Sequence, residues 1–204
     1  MLEVELKLQV KKLPKMAGLE CTGKKRVVDY YYDTPDYKLL VGGNFLRDRN
    51  NKKIDFKLDV GDLSHTFCKE TSFKYDNFAP NEDIIAIFNG LGIELATNFA
   101  NFKEFVKANN LKTLAVIDKI RREYKYQDLT ISLDNAKRIG KFMEIEYCVP
   151  DDTKVDKDEA TKYILDKMQA AGLLPKDYTK VDIGYVELYL KKHNPAAYII
   201  GLYK

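Results

Sequence analysis

Charged side chains recur two residues apart along several segments of this chain. Glutamates occupy both positions in Glu3-x-Glu5 and again in Glu144-x-Glu146. In a β-strand, residues i and i+2 project from the same face, so each pair places two carboxylates side by side. Adjacent carboxylates repel each other unless a cation lies between them, and oxygen ligands suit hard divalent ions such as Mg²⁺ or Mn²⁺. The glutamate pairs therefore indicate a metal site.

Basic side chains follow the same spacing. Arg47 and Arg49 lie two residues apart, and Arg121 precedes Glu123 at the same interval. The planar guanidinium fork of arginine matches the oxygens of a phosphate group. Carboxylates and arginines that face one cavity would together bind a metal–polyphosphate. The alternative is that these charges form a solvated outer face, as in most antiparallel sheets.

The motifs of other common chemistries are missing. The sequence has no GxxxxGK[ST] loop and no GxGxxG turn, which argues against a P-loop or dinucleotide-binding enzyme. His65 and His193 are far apart, and no HExxH motif is present. The three cysteines form no CxxC pair. A zinc hydrolase or a cysteine nucleophile is therefore not expected.

The hydrophobic pattern predicts two groups of strands with a helical section between them. Strands are expected at 2–10, 27–32, 44–49, 53–59, 65–71, 115–127, 128–134 and 141–149. Helices are expected at 80–92, 97–109, 156–171, 183–193 and 195–203. The helices have apolar faces, which must pack against the apolar face of the sheet. This favours a barrel whose outer, apolar face is covered by the helices and whose charged face points inwards. The order of elements predicts an α+β fold with an antiparallel sheet.

Composition and length favour one folded domain. The chain has 204 residues, of which 45% are hydrophobic and 32% charged, and a net charge of only +3. So small a net charge gives no reason to expect nucleic acid binding. No window approaches the roughly 18 apolar residues that cross a bilayer, and an odd number of cysteines favours a reducing compartment. We expect a cytoplasmic monomer with one domain over residues 1–204 and no membrane partner.

Several short motifs, in order along residues 1–190, resemble those of the CYTH (triphosphate tunnel metalloenzyme) superfamily. The opening Glu3-Val-Glu5-Leu-Lys7 resembles its ExExK signature, YYDTPDYKLL (31–40) its YYDTP segment, and FLRDR (45–49) its arginine strand. CKE (68–70) is similar to its KE element, and Arg121 begins its R-x-x-Y element. SLDNAKRIGKFMEIE (132–146) resembles its D…G-x-F-x-E-x-E block.

The resemblance implies an eight-stranded antiparallel tunnel with a charged lumen that holds a small-molecule triphosphate together with Mg²⁺ or Mn²⁺. The metal ligands that it implies are Glu3, Glu5, Asp134, Glu144 and Glu146. The residues that it implies for gripping phosphates and for catalysis are Lys7, Arg47, Arg49, Lys57 and Arg121, with Glu70 in the metal and water network. Lys180 corresponds to a late basic residue that binds substrate.

The C-terminal segment YLKKHNPAAYIIGLY (189–203) and the helical insertion at 80–110 resemble those of thiamine triphosphatases within the superfamily. Those enzymes place a tryptophan just before the arginine strand, where it stacks on thiamine, and this chain has Phe45 there. We therefore expect hydrolysis of thiamine triphosphate to thiamine diphosphate and phosphate. The alternatives are an inorganic triphosphatase, an activity like that of the class IV adenylyl cyclases, or a module that binds polyphosphate without cleaving it. An RNA 5′-triphosphatase is disfavoured by the low net charge.

Overall fold

The computed structural model describes residues 2–12, 16–58, 69–96, 98–149 and 156–202, without the side chains of Leu2, Glu3, Lys69, Glu70, Asn77, Asp83, Val149 and Lys157. Contacts between residues divide the chain into two compact units. The first unit contains the described parts of 1–27 and 118–184, and the second contains those of 28–61, 68–117 and 185–204. The single domain expected over 1–204 stays a prediction.

Nine strands and six helices make up the described elements. The strands are β1 (Leu2–Val10), β2 (Glu20–Asp33), β3 (Phe45–Arg49), β4 (Lys53–Leu58), β5 (Lys69–Lys74), β6 (Lys112–Tyr126), β7 (Leu129–Ala136), β8 (Gly140–Val149) and β9 (Tyr178–Lys180). The helices are α1 (Lys38–Val41), α2 (Glu82–Gly90), α3 (Phe102–Ala108), α4 (Lys157–Ala170), α5 (Tyr185–His193) and α6 (Pro195–Leu202). Single turns of 3₁₀ helix lie at Tyr75–Asn77 and Pro175–Asp177.

The strands form one sheet in the order β5-β4-β3-β2-β6-β7-β8-β1-β9. The strand pairs with a defined register are all antiparallel. They are β1 with β8 and β9, β7 with β6 and β8, β3 with β2 and β4, and β4 with β5. The α+β class and the antiparallel sheet are thereby confirmed. Within the part of the chain that the structure describes, the sheet has nine strands and ends at β5 and β9, so closure into an eight-stranded barrel is not confirmed.

In the first unit, one face of the sheet is apolar and is covered by α4. Alternate residues of β1, β7 and β8 and one stripe of α4 form a buried core that includes Leu8, Ile131, Met143, Ile164 and Met168. The period of two in the strands and the period of 3.6 in the helix bring these side chains together. Asp156 begins α4 by accepting hydrogen bonds from the backbone N–H groups of residues 158 and 159.

In the second unit, α2 and α3 cover the apolar face of β3 and β4. The buried core contains Leu46 and Phe56 from the strands, and Phe88, Phe102 and Phe105 from the helices. Each of these two helices begins with an asparagine whose side chain accepts a backbone N–H three residues later. The charged faces of the sheet are therefore opposite these helices, as the sequence pattern predicts.

The YYDTP segment owes its shape to a buried carboxylate. The two oxygens of Asp33 accept backbone N–H groups of Thr34, Leu39 and Leu40 at 2.7–2.9 Å. Burial raises the pKa of Asp33, and the three backbone hydrogen bonds act in the opposite direction. This carboxylate fixes the turn after β2 and places Leu40 in the interior, so the motif serves the fold directly.

Candidate functional site

The register of the first unit collects charged side chains on one face of the sheet. Lys7 of β1 lies opposite Glu144 of β8, and Glu5 lies opposite Glu146. Across the next pairing, Arg121 of β6 lies opposite Asp134 of β7. Directly opposed residues project from the same face. We call the set with mutual ion pairs the Lys7 cluster; it consists of Glu5, Lys7, Lys119, Arg121, Asp134 and Glu144.

Lys7 joins two carboxylates. Its ammonium lies 3.0 Å from Glu5 Oε1 and 3.4 Å from Glu144 Oε1. Burial lowers the pKa of this lysine, but the attraction of Glu5 and Glu144 outweighs that effect and holds the pKa above its ordinary value. Lys7 is therefore charged at neutral pH and offsets the repulsion between the two glutamates.

Arg121 connects Asp134 to Glu144. Its Nε donates to Asp134 Oδ1 at 2.8 Å and its Nη2 to Asp134 Oδ2 at 2.6 Å, while Nη2 also donates to Glu144. Asp134 and Glu144 are buried, with 2% and 6% of their surface exposed. The two-point contact fixes the plane of the guanidinium. Asp134, expected as a metal ligand, thus has both oxygens engaged by cationic side chains.

Lys119 is a member of the cluster that the sequence reasoning missed. Its ammonium donates to Asp134 Oδ2 at 2.8 Å, and the residue is only 3% exposed. Burial lowers its pKa, although Glu144 and Asp134 act in the opposite direction. The signal was present in the sequence, because Lys119 and Arg121 have the same i, i+2 spacing as the other charged pairs.

The second unit has a charged cluster of its own, the Arg47 cluster, which consists of Asp29, Arg47, Arg49, Lys53, Asp55 and Ser72. Arg47 Nε and Nη2 donate to Asp55 Oδ2 at 3.0 and 2.5 Å. Lys53 and Ser72 both contact Asp55 Oδ1 at 2.8 Å. Burial raises the pKa of Asp55, but Arg47 and the hydrogen bonds from Lys53 and Ser72 outweigh it, so the pKa is well below its usual range.

Arg49 is held by a second buried aspartate. Its Nε and Nη2 donate to Asp29 Oδ1 and Oδ2 at 2.7 and 3.1 Å, and Asp29 is 1% exposed. Asp29 lies directly opposite Arg49 across β2 and β3. Neither Asp29 nor Asp55 was among the predicted site residues. Both arginines of FLRDR are thus fixed by carboxylates on neighbouring strands before any ligand binds.

Phe45 lies on the same face of β3 as these two arginines. Its ring meets Tyr31 edge-on, with 6.4 Å between ring centroids. The ring also lines a small, water-sized cavity, together with Leu40 and residues of α5 and α6. The phenyl group therefore lies against the C-terminal helices.

The remaining predicted residues are distributed as follows. Lys57 lies opposite Phe45 in the β3–β4 pairing, on the same face as Arg47. Glu146 is half-buried and lies beside Glu5. Lys180 lies opposite Leu8, so the register does not bring it to the face that carries Lys7. The side chains of Glu3 and Glu70 fall outside the described residues. The roles assigned to all these residues stay predictions.

The donor atoms of the first unit suit a hard divalent ion. Glu5 and Glu146 are directly opposed, so their Cβ atoms are about 5 Å apart and both carboxylates can reach one ion. Among the described side chains, no group of three or more acidic, histidine or cysteine residues surrounds a common point, because Glu144 is turned towards Arg121 and Lys7. Lys7 occupies the place of a cation between the glutamates.

The charged face is internally satisfied. Every buried side-chain nitrogen and oxygen among the described residues has a hydrogen-bond partner. The cations and carboxylates of this face neutralise one another, so no charge is buried without a counter-charge. Such a face carries both the donors that suit phosphate oxygens and the carboxylates that suit a divalent ion.

Known structures share this fold. The PH1819 protein of Pyrococcus horikoshii OT3 is 22% identical, with a TM-score of 0.63 over 94% of this chain and 99% of its own. The PH1012 protein of the same organism is 23% identical, with a TM-score of 0.57 over 91% and 98%. The Hippeastrum protein HpAC1, described as an adenylyl cyclase candidate with a dominant triphosphatase activity, is 14% identical, with a TM-score of 0.56 over 93% and 95%. At these identities the likeness shows the fold alone.

No curated protein matches the chain significantly. Within the described residues, no helix is both long and apolar enough to cross a membrane. The CYTH domain family matches residues 1–196, nearly the whole sequence. This family binds small-molecule triphosphates, depends on metal ions and includes triphosphatases and cyclases. With the match, the antiparallel sheet and the charged face in agreement, the chain belongs to the CYTH domain family.

Proposed function

We propose that this protein is a metal-dependent triphosphatase whose preferred substrate is thiamine triphosphate, which it cleaves to thiamine diphosphate and phosphate. The observation that carries the proposal is the set of partly buried cations on one sheet face, each held by a carboxylate: Lys7 by Glu5 and Glu144, and Arg121 by Asp134. Cations that are fixed before binding stabilise the charge of a phosphoryl-transfer transition state without reorganising.

Lys7, Arg47, Arg49, Lys57 and Arg121 bind the phosphate oxygens in this proposal, and Lys119 joins them. Asp134 holds Arg121 in position, while Asp55 and Asp29 hold Arg47 and Arg49. A planar arginine fixed at two points presents its remaining N–H groups in one direction, which keeps the chain of phosphates aligned. Lys180 remains a proposed substrate-binding residue.

The carboxylates that would hold the metal are Glu3, Glu5, Glu144 and Glu146, with Asp134 and Glu70 in its hydrogen-bond network. Bound Mg²⁺ or Mn²⁺ supplies positive charge to the phosphate oxygens and a Lewis acid for the attacking water. Glu144, which in the free protein contacts Lys7 and Arg121, would supply one of the oxygens to such an ion.

An inorganic triphosphatase is the second candidate. Tripolyphosphate uses the same cations but needs no ring to contact Phe45. Phe45, two residues from Arg47 on the same strand face, favours an organic triphosphate because its ring can stack on an organic group. A cyclase would bind adenine and form cyclic AMP, and a binding module would hold the triphosphate intact.

One assay separates these functions. Phosphate release is measured from thiamine triphosphate, tripolyphosphate and ATP, each with Mg²⁺ and with Mn²⁺, and cyclic AMP is measured in the ATP reactions. The proposal expects the highest kcat/KM for thiamine triphosphate. A higher value for tripolyphosphate would select the inorganic triphosphatase, cyclic AMP would select the cyclase, and binding without phosphate release would select the module.

Other sequence predictions form part of this proposal. They are the eight-stranded tunnel, the single domain over residues 1–204, the monomeric state and the cytoplasmic location. A crystal structure of the purified chain would check the first two, and sedimentation would check the third. Fractionation of the source cells would check the last.

A further inference from the structure

The sheet face of the first unit that lies opposite the Lys7 cluster is covered by α4 over only part of its length. Where this face carries Ile131 and Ile145, the side chains are buried in the core that includes α4. Towards the turn between β7 and β8 the same face is open. Ile120, which lies opposite Asn135, is 38% exposed there, and Asn135 in turn lies opposite the exposed Lys141.

Cations surround Ile120 on this open end of the face. Arg122 shares the face of Ile120 by the alternation of strand residues, and the backbone N–H of Lys137 donates to the backbone C=O of Asp118, which continues the register of β6 and β7. Arg26 of β2 reaches the same face, since its Nε and Nη2 donate to the carboxylate of Asp118 at 2.9 Å. The outer basic face, as we call it, consists of Ile120 and the exposed cations Lys24, Arg26, Arg122, Lys137 and Lys141.

The positive charge of the chain is concentrated on this face. Five positive charges less the negative charge of Asp118 give a net charge of +4, compared with +3 for all 204 residues. Lys24 is included because it lies two residues from Arg26 on β2. Asp118 is already neutralised, because the hydrogen bonds from Arg26 and the charges of Arg26 and Lys137 hold its pKa below its ordinary value. The low net charge of the sequence therefore hides a basic surface.

The dimensions of the outer basic face limit its partner. From Asp118 to Arg122 the strand β6 extends about 14 Å, and the three steps between β2, β6, β7 and β8 span a similar distance, so the area is roughly 200 Å². A stable protein interface buries about 800 Å² on each partner. Even a single nucleic-acid-binding module buries about 600–1,000 Å². No member of the face is aromatic, so it offers no ring on which bases could stack.

An anionic lipid surface matches both the charge and the small area. Each Lys or Arg near such a surface strengthens binding about five-fold without needing a contiguous interface. Lys24, Arg122, Lys137 and Lys141 together would then give half-maximal binding at about millimolar lipid. The apolar side chain of Ile120, in the midst of these cations, can enter the boundary between headgroups and acyl chains.

We propose that the outer basic face attaches the protein reversibly to membranes rich in anionic lipid, with Ile120 entering the headgroup layer. Attachment to a surface requires no spanning segment. The proposal therefore replaces the expectation of no membrane partner, which was based on spanning segments alone. It is independent of the proposed triphosphatase function, because none of the residues of the outer basic face belongs to the Lys7 or Arg47 cluster.

Sedimentation with vesicles tests the attachment. Vesicles of phosphatidylcholine with about one-third phosphatidylserine should bind the chain in about 0.1 M salt, whereas vesicles of phosphatidylcholine alone should not. Raising the salt to about 0.5 M should release the bound protein, because screening weakens the attraction between exposed charges.

Two double substitutions separate this face from net charge. Arg122→Gln with Lys137→Gln should lower the lipid partition coefficient about 25-fold. Lys103→Gln with Lys107→Gln removes the same charge from exposed positions of α3 and should stay within about two-fold of the wild type. Ile120→Ala, which leaves the charge unchanged, should lower the coefficient about three-fold. Thermal melts by circular dichroism would verify that each variant is folded.

The other outcomes would overturn the proposal. Equal binding to both kinds of vesicle, or no binding to phosphatidylserine vesicles at millimolar lipid, would reject anionic lipid as the partner. Equal losses in the two double variants would assign the binding to net charge and reject the face. Tighter binding to a labelled single-stranded RNA than to the vesicles, lost in Arg122→Gln with Lys137→Gln, would identify nucleic acid as the partner instead.

Discussion

Arg121 and Asp134 face each other across β6 and β7 and share two hydrogen bonds, from Nε at 2.8 Å and from Nη2 at 2.6 Å. With Lys119 on the same carboxylate, Asp134 is surrounded by cations. A carboxylate so placed positions the arginine, whereas the resemblance to the family implied a metal ligand. The two roles make different predictions.

The substitution Asp134→Asn separates positioning from metal binding. We expect KM for tripolyphosphate to rise while the Mg²⁺ concentration for half-maximal activity stays unchanged, because Arg121 loses its fixed orientation. The free energy of unfolding should fall by about 3 kcal/mol, since two buried cations lose their counter-charge. Circular dichroism would verify that the variant is folded at the assay temperature. An increased Mg²⁺ requirement with unchanged KM would assign Asp134 to the metal.

The substitution Lys119→Met tests whether the buried lysine contacts substrate. Burial opposes the charge of Lys119, and Asp134 keeps Arg121 as a partner, so the free energy of unfolding should change by no more than about 1 kcal/mol. Loss of a cation that contacts phosphate should lower kcat/KM on the order of 100-fold. Lys125→Met, on an exposed part of the same strand face, is the matched control. Equal, small effects of both substitutions on kcat/KM would remove Lys119 from the site.

Chelation tests the metal site. In excess EDTA we expect no phosphate release, and added Mg²⁺ or Mn²⁺ should restore it, because the family depends on metal ions and Glu5 and Glu146 lie opposite each other. The variant Glu5→Gln should need a higher Mg²⁺ concentration for half-maximal activity. Full activity in EDTA would reject the metal site altogether.

A buried acid away from the charged faces gives a pH-dependent prediction. Burial raises the pKa of Asp48 to about 6, and its Oδ1 accepts the backbone N–H of Asn51. Between the unfolded pKa, near 4, and this value, the folded protein binds more protons than the unfolded one, so the free energy of unfolding falls as pH rises. Asp48→Asn keeps the acceptor and removes the charge.

We therefore expect Asp48→Asn to be more stable than the wild type by about 1 kcal/mol at pH 7.5, and the difference to vanish near pH 4. Urea unfolding at both pH values measures it. The expected sign is opposite to that of a salt-bridged aspartate such as Asp55, whose pKa is lowered in the folded protein. The ionised Asp55 stabilises the fold above pH 4, and this stabilisation is lost in acid. A loss of stability at pH 7.5 in Asp48→Asn would contradict the assignment.

Phe45→Ala tests whether the ring contacts the organic group. Loss of a stacking contact of about 1 kcal/mol should lower kcat/KM for thiamine triphosphate about five-fold. Tripolyphosphate has no ring, so its hydrolysis should change little, and any general damage to the protein affects both substrates alike. An equal fall for both would mean that Phe45 only packs against Tyr31 and the C-terminal helices.

The sequence predicted which residues share a face but not which residues pair. Alternation places Lys7, Arg47, Arg49 and Arg121 on charged faces, and the register agrees within each unit. The pairing of Arg49 with Asp29, 20 residues away, depends on strand register, which a single sequence leaves open. Register also explains why the role of Lys7 in the free protein was missed. The sequence predicted Lys7 as a phosphate ligand, whereas in the structure it lies between Glu5 and Glu144 and offsets their repulsion.

The elements missed from the sequence are short or polar. Strand β9 has three residues, too few to show a period of two. The first half of β2, which includes Gly23 and exposed lysines, has the composition of a loop. Without the β1–β9 register, the side of the sheet on which Lys180 lies could not be deduced.

The pairing of β1 with β8 has a consequence for how the chain acquires its active form during synthesis. Residues 2–10 emerge from the ribosome well before their described partners, which are 142–149 and 178–180. Hairpins such as β7–β8 can close within microseconds, whereas joining strands so far apart must await most of the chain and carries a larger loop-closure entropy. Until then Lys7 has no Glu144 to neutralise it, so the unfinished chain exposes an unpaired strand and half of a charged site. Assembly of the Lys7 cluster is therefore a late event in folding, and a chain stalled before residue 134 has Lys7 but neither Asp134 nor Glu144.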